Sequence, residues 1–175
     1  LGDVYKRQSQ NLINNKKLAV IGCSGLVGSS ILRCALEKGY EVNGTMRNIE
    51  DSTKINYLKK LKNFEKLNLF KAEMSNENDF DFCLQDISTL FIACLIPTYK
   101  GFDGTIAKEL DDKRGYNEII NPTVNGCLNI LKSAKKLDVK NVVICSSTSS
   151  TNPIPPVPIK NEIDHWSDEI EQCKS

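Results

Sequence analysis

The stretch that most constrains the fold is residues 18–37. Leu18 to Ile21 is uniformly apolar and runs straight into Gly22-Cys23-Ser24-Gly25-Leu26-Val27-Gly28. A short apolar run of this kind reads as a strand buried on both faces, as in a parallel sheet. From Leu26 to Glu37, Val27, Ile31, Leu32 and Ala35 share one helical face, and Lys38–Gly39 supplies a stop. Glycines at intervals of three therefore separate a buried strand from an amphipathic helix. Such a loop turns sharply, lets a phosphate approach the backbone, and aims helix N–H groups at its charge. A glycine trio alone is equally compatible with an ordinary turn. Its place between strand and helix favours dinucleotide binding.

The alternation continues downstream. Tyr40 to Met46 reads as a second strand, and Asp51 to Lys62 carries Ile55, Leu58 and Leu61 at helical spacing. Leu67 to Ala72 reads as a third strand, Asn76 to Leu84 as a short helix, and Thr89 to Cys94 as a fourth strand. The loop from Leu95 to Gly115 is long enough to be a candidate rim of a site. In the long helix that follows, Ile120, Val124, Cys127, Leu131 and Ala134 step by three and four, with Asn121–Pro122 near its start. Asn141 to Cys145 reads as a fifth strand, before the polar run Ser146 to Thr151 and a proline-rich loop. Strand–helix repetition of this order predicts an α/β, doubly wound parallel sheet (a Rossmann fold), because parallel neighbours need crossover connections.

Composition excludes several classes. A chain of 175 residues suits one domain, and 40% hydrophobic with 26% charged residues suffices for a core. The formal charge of +1 gives no footprint for nucleic acid and no polybasic membrane signal. The longest apolar stretch, Leu90 to Ile96, is far shorter than the ~20 residues of a membrane span. The seven cysteines form no C-x-x-C pair, so they read as reduced thiols of a cytoplasmic protein rather than a disulfide framework or zinc site. Lys54, Lys59, Lys60 and Lys62 read as the solvated face of their helix.

The end of the second strand bears on coenzyme choice. It runs Gly44-Thr45-Met46-Arg47-Asn48, with no carboxylate before Glu50 to hold a ribose 2′-hydroxyl. Arg47 could clamp a 2′-phosphate with its guanidinium fork, favouring NADP over NAD, or be an ordinary surface arginine.

At this point the chain resembles the extended short-chain dehydrogenase/reductase family, in the group of dihydroflavonol and cinnamoyl-CoA reductases within the epimerase/dehydratase superfamily. The resemblance rests on VIGCSGLVGSS at 20–30, GTMRN at 44–48, KAEMS at 71–75, NPTVNGCLNILKSA at 121–134, NVVICSSTSSTN at 141–152 and WSD at 166–168. It implies that Gly22, Ser24, Gly25, Leu26, Val27 and Gly28 cradle a pyrophosphate, while Arg47 reads the 2′-phosphate. It also implies that Glu73 and Met74 lie beside the adenine, and that Ala93, Cys94 and Leu95 line the ribose. Ser147 matches the family's catalytic serine and Asn152 a substrate contact; read alone, the run around Ser147 is simply polar loop. His165 reads as an ordinary loop residue.

The family's reaction moves a hydride to a carbonyl carbon while a tyrosine, tuned by a lysine four residues later, protonates the oxygen. Here Tyr5, Tyr40, Tyr57, Tyr99 and Tyr116 are followed at that spacing by Ser9, Gly44, Leu61, Asp103 and Ile120. The expectation is a fragment: residues 1–15 as a non-family leader resembling adapter read-through, and 16–175 as an NAD(P)-binding Rossmann domain incomplete at its C-terminal end. The expected activity of the intact protein is NADP-dependent reduction of a small-molecule carbonyl substrate, the fragment itself being inactive. The alternatives are a nucleotide-sugar epimerase or dehydratase, and a non-catalytic NADP sensor.

Overall fold

The computed structural model describes residues 17–94, 99–147, 157–161 and 163–164. Strands β1 (Lys17–Ile21), β2 (Glu41–Met46), β3 (Leu67–Lys71), β4 (Thr89–Ile92) and β5 (Asn141–Ile144) form one sheet in the order β3-β2-β1-β4-β5. Every pairing is parallel, with Ala19 of β1 beside Asn43 of β2 and Leu90 of β4. Strand order reverses at β1, and in such sheets the carboxyl ends open a crevice where it does so.

Both faces of β1 are buried, which is why its residues do not alternate. Leu18 and Val20 pack with Leu32 and Leu36 of helix α1 (Leu26–Glu37) and with Leu58 of helix α2 (Ser52–Leu58). Ala19 and Ile21 face the other way, in a cluster with Leu90, Ile92, Ile130 and Ala134. The chain divides into two units, Leu1–Ile144 and Cys145–Ser175, and the sheet belongs to the first. In the second, the Ile163 and Asp164 amides donate to Asn161 Oδ1 at 2.9 and 2.8 Å, closing a local turn.

Several expectations change. Asn76 to Leu84 forms successive turns rather than a helix. Asn78 takes φ 67°, a left-handed conformation that interrupts helical hydrogen bonding, and the buried Asn43 amide donates to the Cys83 carbonyl at 2.8 Å. The long loop ends earlier than Gly115, because helix α3 (Asp112–Gly115) passes through a π turn at Tyr116–Ile120 into helix α4 (Asn121–Lys136). That π turn ends two residues before Pro122, which cannot donate to the carbonyl four residues back. The buried face of α4 is also rotated from the expected stripe. Ile120 and Val124 are 40% and 49% exposed, whereas Gly126, Ile130, Ser133 and Ala134 are buried. Ala134 and, in part, Leu131 of the expected stripe do face the core, while in its first half Gly126 lets the helix come close and Ile130 fills the inner face.

Arg114 secures the segment before this helix. Its guanidinium donates to Glu118 Oε1 and Oε2 at 2.8 and 3.1 Å and pairs with Asp103 Oδ1 at 2.9 Å. Glu118 Oε2 also accepts from the Phe102 amide at 2.7 Å. The Thr105 amide, then Thr105's side chain and Arg114, hold the Asp103 carboxyl below its ordinary range; Arg114, then the Phe102 amide, do so for Glu118. Folded pKa values below unfolded ones mean the clamp stabilises fully above the ordinary carboxylate range, about pH 4, and is lost as pH falls below it. Thermal melts of wild type and Arg114→Met should therefore differ at neutral pH and converge progressively below about pH 4. A gap that persists undiminished in acid would contradict this assignment.

Candidate functional site

A cavity of about 600 Å3 opens at the carboxyl ends of β1, β2 and β3. It is lined by Ile21, Gly22, Ser24 and Gly25 of the glycine loop, by Thr45, Met46, Arg47 and Asn48, by Lys54, and by Ala72, Glu73, Met74, Phe80 and Cys94. The loop's shape follows from contacts that leave no room for side chains. Gly22 has φ +76°, and a Cβ there would lie 2.7 Å from Cys94 Cβ. A Cβ on Gly28 would lie 2.1 Å from the Gly22 carbonyl oxygen, a backbone atom that cannot step aside.

Hydrogen bonds tie this turn to its neighbour: the Cys23 amide donates to the Thr45 carbonyl at 3.0 Å, and the Gly22 amide to Thr45 Oγ1 at 3.3 Å. Gly25 caps α1 without any side-chain acceptor, and the first turn of α1 contains no acidic residue. The positive end of the helix dipole thus stands at the cavity wall without a neutralising carboxylate from its own first turn, an arrangement that favours an anion.

Cations lie at the end of β2. Arg47 follows the strand directly, and Lys54 reaches the same cavity from the first turn of α2. Asp51 caps α2, accepting from the Lys54 amide at 3.2 Å, and pairs with Lys54 Nζ at 3.6 Å. On the adjoining wall after β3, where the Ala72 amide donates to the Met46 carbonyl at 3.3 Å, the Glu73 amide donates to Asp79 Oδ2 at 2.9 Å. Burial pushes the Cys94 thiol above its ordinary pKa; Arg47 opposes that shift. Cys23 and Cys83, fully buried, are pushed up to about 12 and behave as apolar core. The six described cysteines are free, and no metal-binding cluster occurs among the described residues. No described helix is long and apolar enough to cross a membrane.

The NAD dependent epimerase/dehydratase family model matches residues 18–168. The chain belongs to that family. Among curated family relatives, it is 32% identical over 164 residues to the bifunctional dihydroflavonol 4-reductase/flavanone 4-reductase of Malus domestica, covering 92% of this chain and 43% of the relative. It is 35% identical over 144 residues to the cinnamoyl-CoA reductase CAD2 of Medicago truncatula, covering 81% of this chain and 40% of the relative. The chain thus spans less than half the length of these relatives. Among solved structures, vestitone reductase from alfalfa (Medicago sativa L.) superposes with a TM-score of 0.58 at 29% identity, covering 87% of this chain and 43% of that one. Yeast methylglyoxal/isovaleraldehyde reductase Gre2, solved with NADPH, shares the fold at a TM-score of 0.63 and 20% identity, over 90% of this chain and 48% of that one.

Against the family pattern, the cavity gathers Gly22, Ser24, Gly25, Arg47, Glu73, Met74 and Cys94. Gly28 is buried beneath the turn, and Leu26 and Val27 open α1 with side chains 88% and 42% exposed. Ala93 packs in the core against the α1 face of the sheet. Ser147 belongs to the second unit and is exposed; Leu95, Asn152 and His165 lie outside the described residues. Sequence reasoning missed Lys54, whose position one turn into a helix beginning at Ser52 was the available signal. Lys59 and Lys60 are exposed, but α2 ends at Leu58, short of the expected Lys62, so they lie in the turn after the helix rather than on its face.

Because the Gly28 contact is with backbone, Gly28→Ala should lower folding stability by about 2–3 kcal/mol in denaturant unfolding. A midpoint equal to wild type would mean that the turn has slack the packing denies.

Proposed function

We propose that this chain supplies the NADP-binding region of a cytoplasmic oxidoreductase that reduces the carbonyl group of a small organic substrate. The coenzyme reading is carried by Arg47 and Lys54, which line one cavity together, beside a strand end with no carboxylate from Gly44 to Ile49. The glycine turn fits a pyrophosphate, since it is a backbone cradle that Cβ atoms at Gly22 or Gly28 would fill. Gly22, Ser24 and Gly25, with Leu26, Val27 and Gly28 heading α1, would hold the diphosphate. Arg47 would grip the 2′-phosphate through paired N–H groups and Lys54 would add a point charge, while NAD offers neither cation a partner.

Glu73 and Met74 would flank the adenine, and Ala93, Cys94 and Leu95 the ribose. When bound, NADPH supplies the hydride. Ser147 would donate a hydrogen bond to the substrate carbonyl oxygen as negative charge develops there, and Asn152 would contact the substrate. The dihydroflavonol and cinnamoyl-CoA reductase relatives support a carbonyl substrate. No tyrosine of this chain has a lysine four residues later to tune it as the proton donor. The chain by itself therefore binds coenzyme without turnover.

Titration with NADPH and NADH tests the reading. Arg47→Leu should weaken NADPH binding about 10- to 100-fold, as expected for a lost charged hydrogen-bond pair, and leave NADH within about twofold. Lys54→Leu should cost NADPH about 3- to 10-fold, less because Asp51 already shares its charge. Equal losses for both coenzymes would refute a 2′-phosphate role. In the same samples, NADPH oxidation with aldehydes or ketones should stay at background for this chain alone; substantial turnover would place the proton donor elsewhere.

A further inference from the structure

The cavity wall formed by Ala72, Glu73 and Met74 follows β3, yet part of its support comes from helix α4, far along the chain. Asn129, in the middle of α4, donates its side-chain amide to the Met74 carbonyl at 3.0 Å, across 55 residues of sequence. Three residues earlier on the same helix, Gly126 is so close to Met74 that a Cβ would fall 2.9 Å from both Met74 Cβ and Cε. From below, Asp79 Oδ2 accepts from the Glu73 amide at 2.9 Å and from Asn76 Nδ2 at 3.1 Å. Met74 is buried and Asn129 half-buried. The wall is thus pinned on the two peptide groups that flank the Glu73–Met74 linkage: the Glu73 N–H by a carboxylate, the Met74 C=O by an amide.

We propose that Asn129 is a positioning residue for the adenine end of the cofactor cleft, setting the Glu73–Met74 backbone at the distance from the glycine turn that an adenosine needs. The inference rests on the cofactor reading above and deepens it. Its physical content is local. A carbonyl held by a half-buried amide loses rotational freedom, so the adjoining Glu73 side chain and Met74 peptide are preorganised before ligand arrives. Asn129 has this reach because Gly126 brings the helix axis close. A helix further out would leave the Met74 carbonyl beyond hydrogen-bond range.

A positioning role on one wall separates the halves of the coenzyme, which a general loss of stability would not. In the protein carrying this chain, affinities are compared for NADPH, for 2′,5′-ADP, which holds only the adenosine end, and for reduced nicotinamide mononucleotide, which holds only the other. Asn129→Leu should weaken NADPH and 2′,5′-ADP alike, by about 3- to 10-fold, the usual size of one lost hydrogen bond. Nicotinamide mononucleotide should be unchanged, and Asn129→Gln, which keeps the donor, should recover most of the loss. Equal weakening of both halves, or none in a folded variant, overturns the proposal. Should Asn129→Leu not fold, the wild-type side-chain amide of Asn129 provides the reading by NMR. It should shift with 2′,5′-ADP and stay unmoved by the mononucleotide; a signal indifferent to 2′,5′-ADP overturns the proposal. Wild type that binds neither NADPH nor 2′,5′-ADP would instead refute the cofactor reading, and this inference with it.

Discussion

Everything at the cavity depends on one backbone contact, Gly28 of α1 seated against the carbonyl of Gly22. Because no side chain intervenes, the helix leaves β1 at close range, and its N-terminal end stands over the sheet where strand order reverses. The same closeness lets Thr45 of β2 accept hydrogen bonds from both Gly22 and Cys23. A turn locked to its neighbouring strand is a rigid anion cradle that needs little rearrangement to accept a charge. The backbone there is therefore shaped by sterics before any side chain takes part.

The side chains then divide the work by magnitude. A helix N-terminus favours an anion by about 0.3–1 kcal/mol when partly exposed, enough to prefer a phosphate but too little to choose between two coenzymes. Hydrogen bonds to charged groups are worth about 1.5–3 kcal/mol each, so in the function proposed the choice would fall to Arg47 and Lys54. Next to them, the wall after β3 is built differently, from peptide groups held by Asp79 and Asn129. The end of β2 gathers the cations, and the adjoining wall is held by hydrogen bonds to its backbone.

Much of this was legible in the chain. The apolar run at Leu18 to Ile21 and the periodicity from Leu26 to Glu37 correspond to β1 and α1, because each element's pattern of apolar residues is local even though β1 is partly buried by residues far along the chain. Parallel strands β2, β3 and β4 were readable within one or two residues for the same reason. The segment after Asn76 was not, since a left-handed Asn78 and a carbonyl captured by Asn43, from 40 residues away, decide its path. The stripe of α4 held at Leu131 and Ala134 but misled at Ile120 and Val124, where close approach to Met74 turned the face with Gly126 inward. Lys54 read as one of several solvated lysines because its neighbours in sequence really are solvated.

The amino-acid sequence by itself determined the parallel α/β architecture, the glycine turn and the cation after β2, because each is encoded by patterns within a few residues of one another. Tertiary structure alone decided which lysine joins Arg47, which face of α4 turns inward, and that Asn129 reaches the wall after β3. Those outcomes depend on distances between segments tens of residues apart, and such distances exist only once the helices have packed onto the sheet.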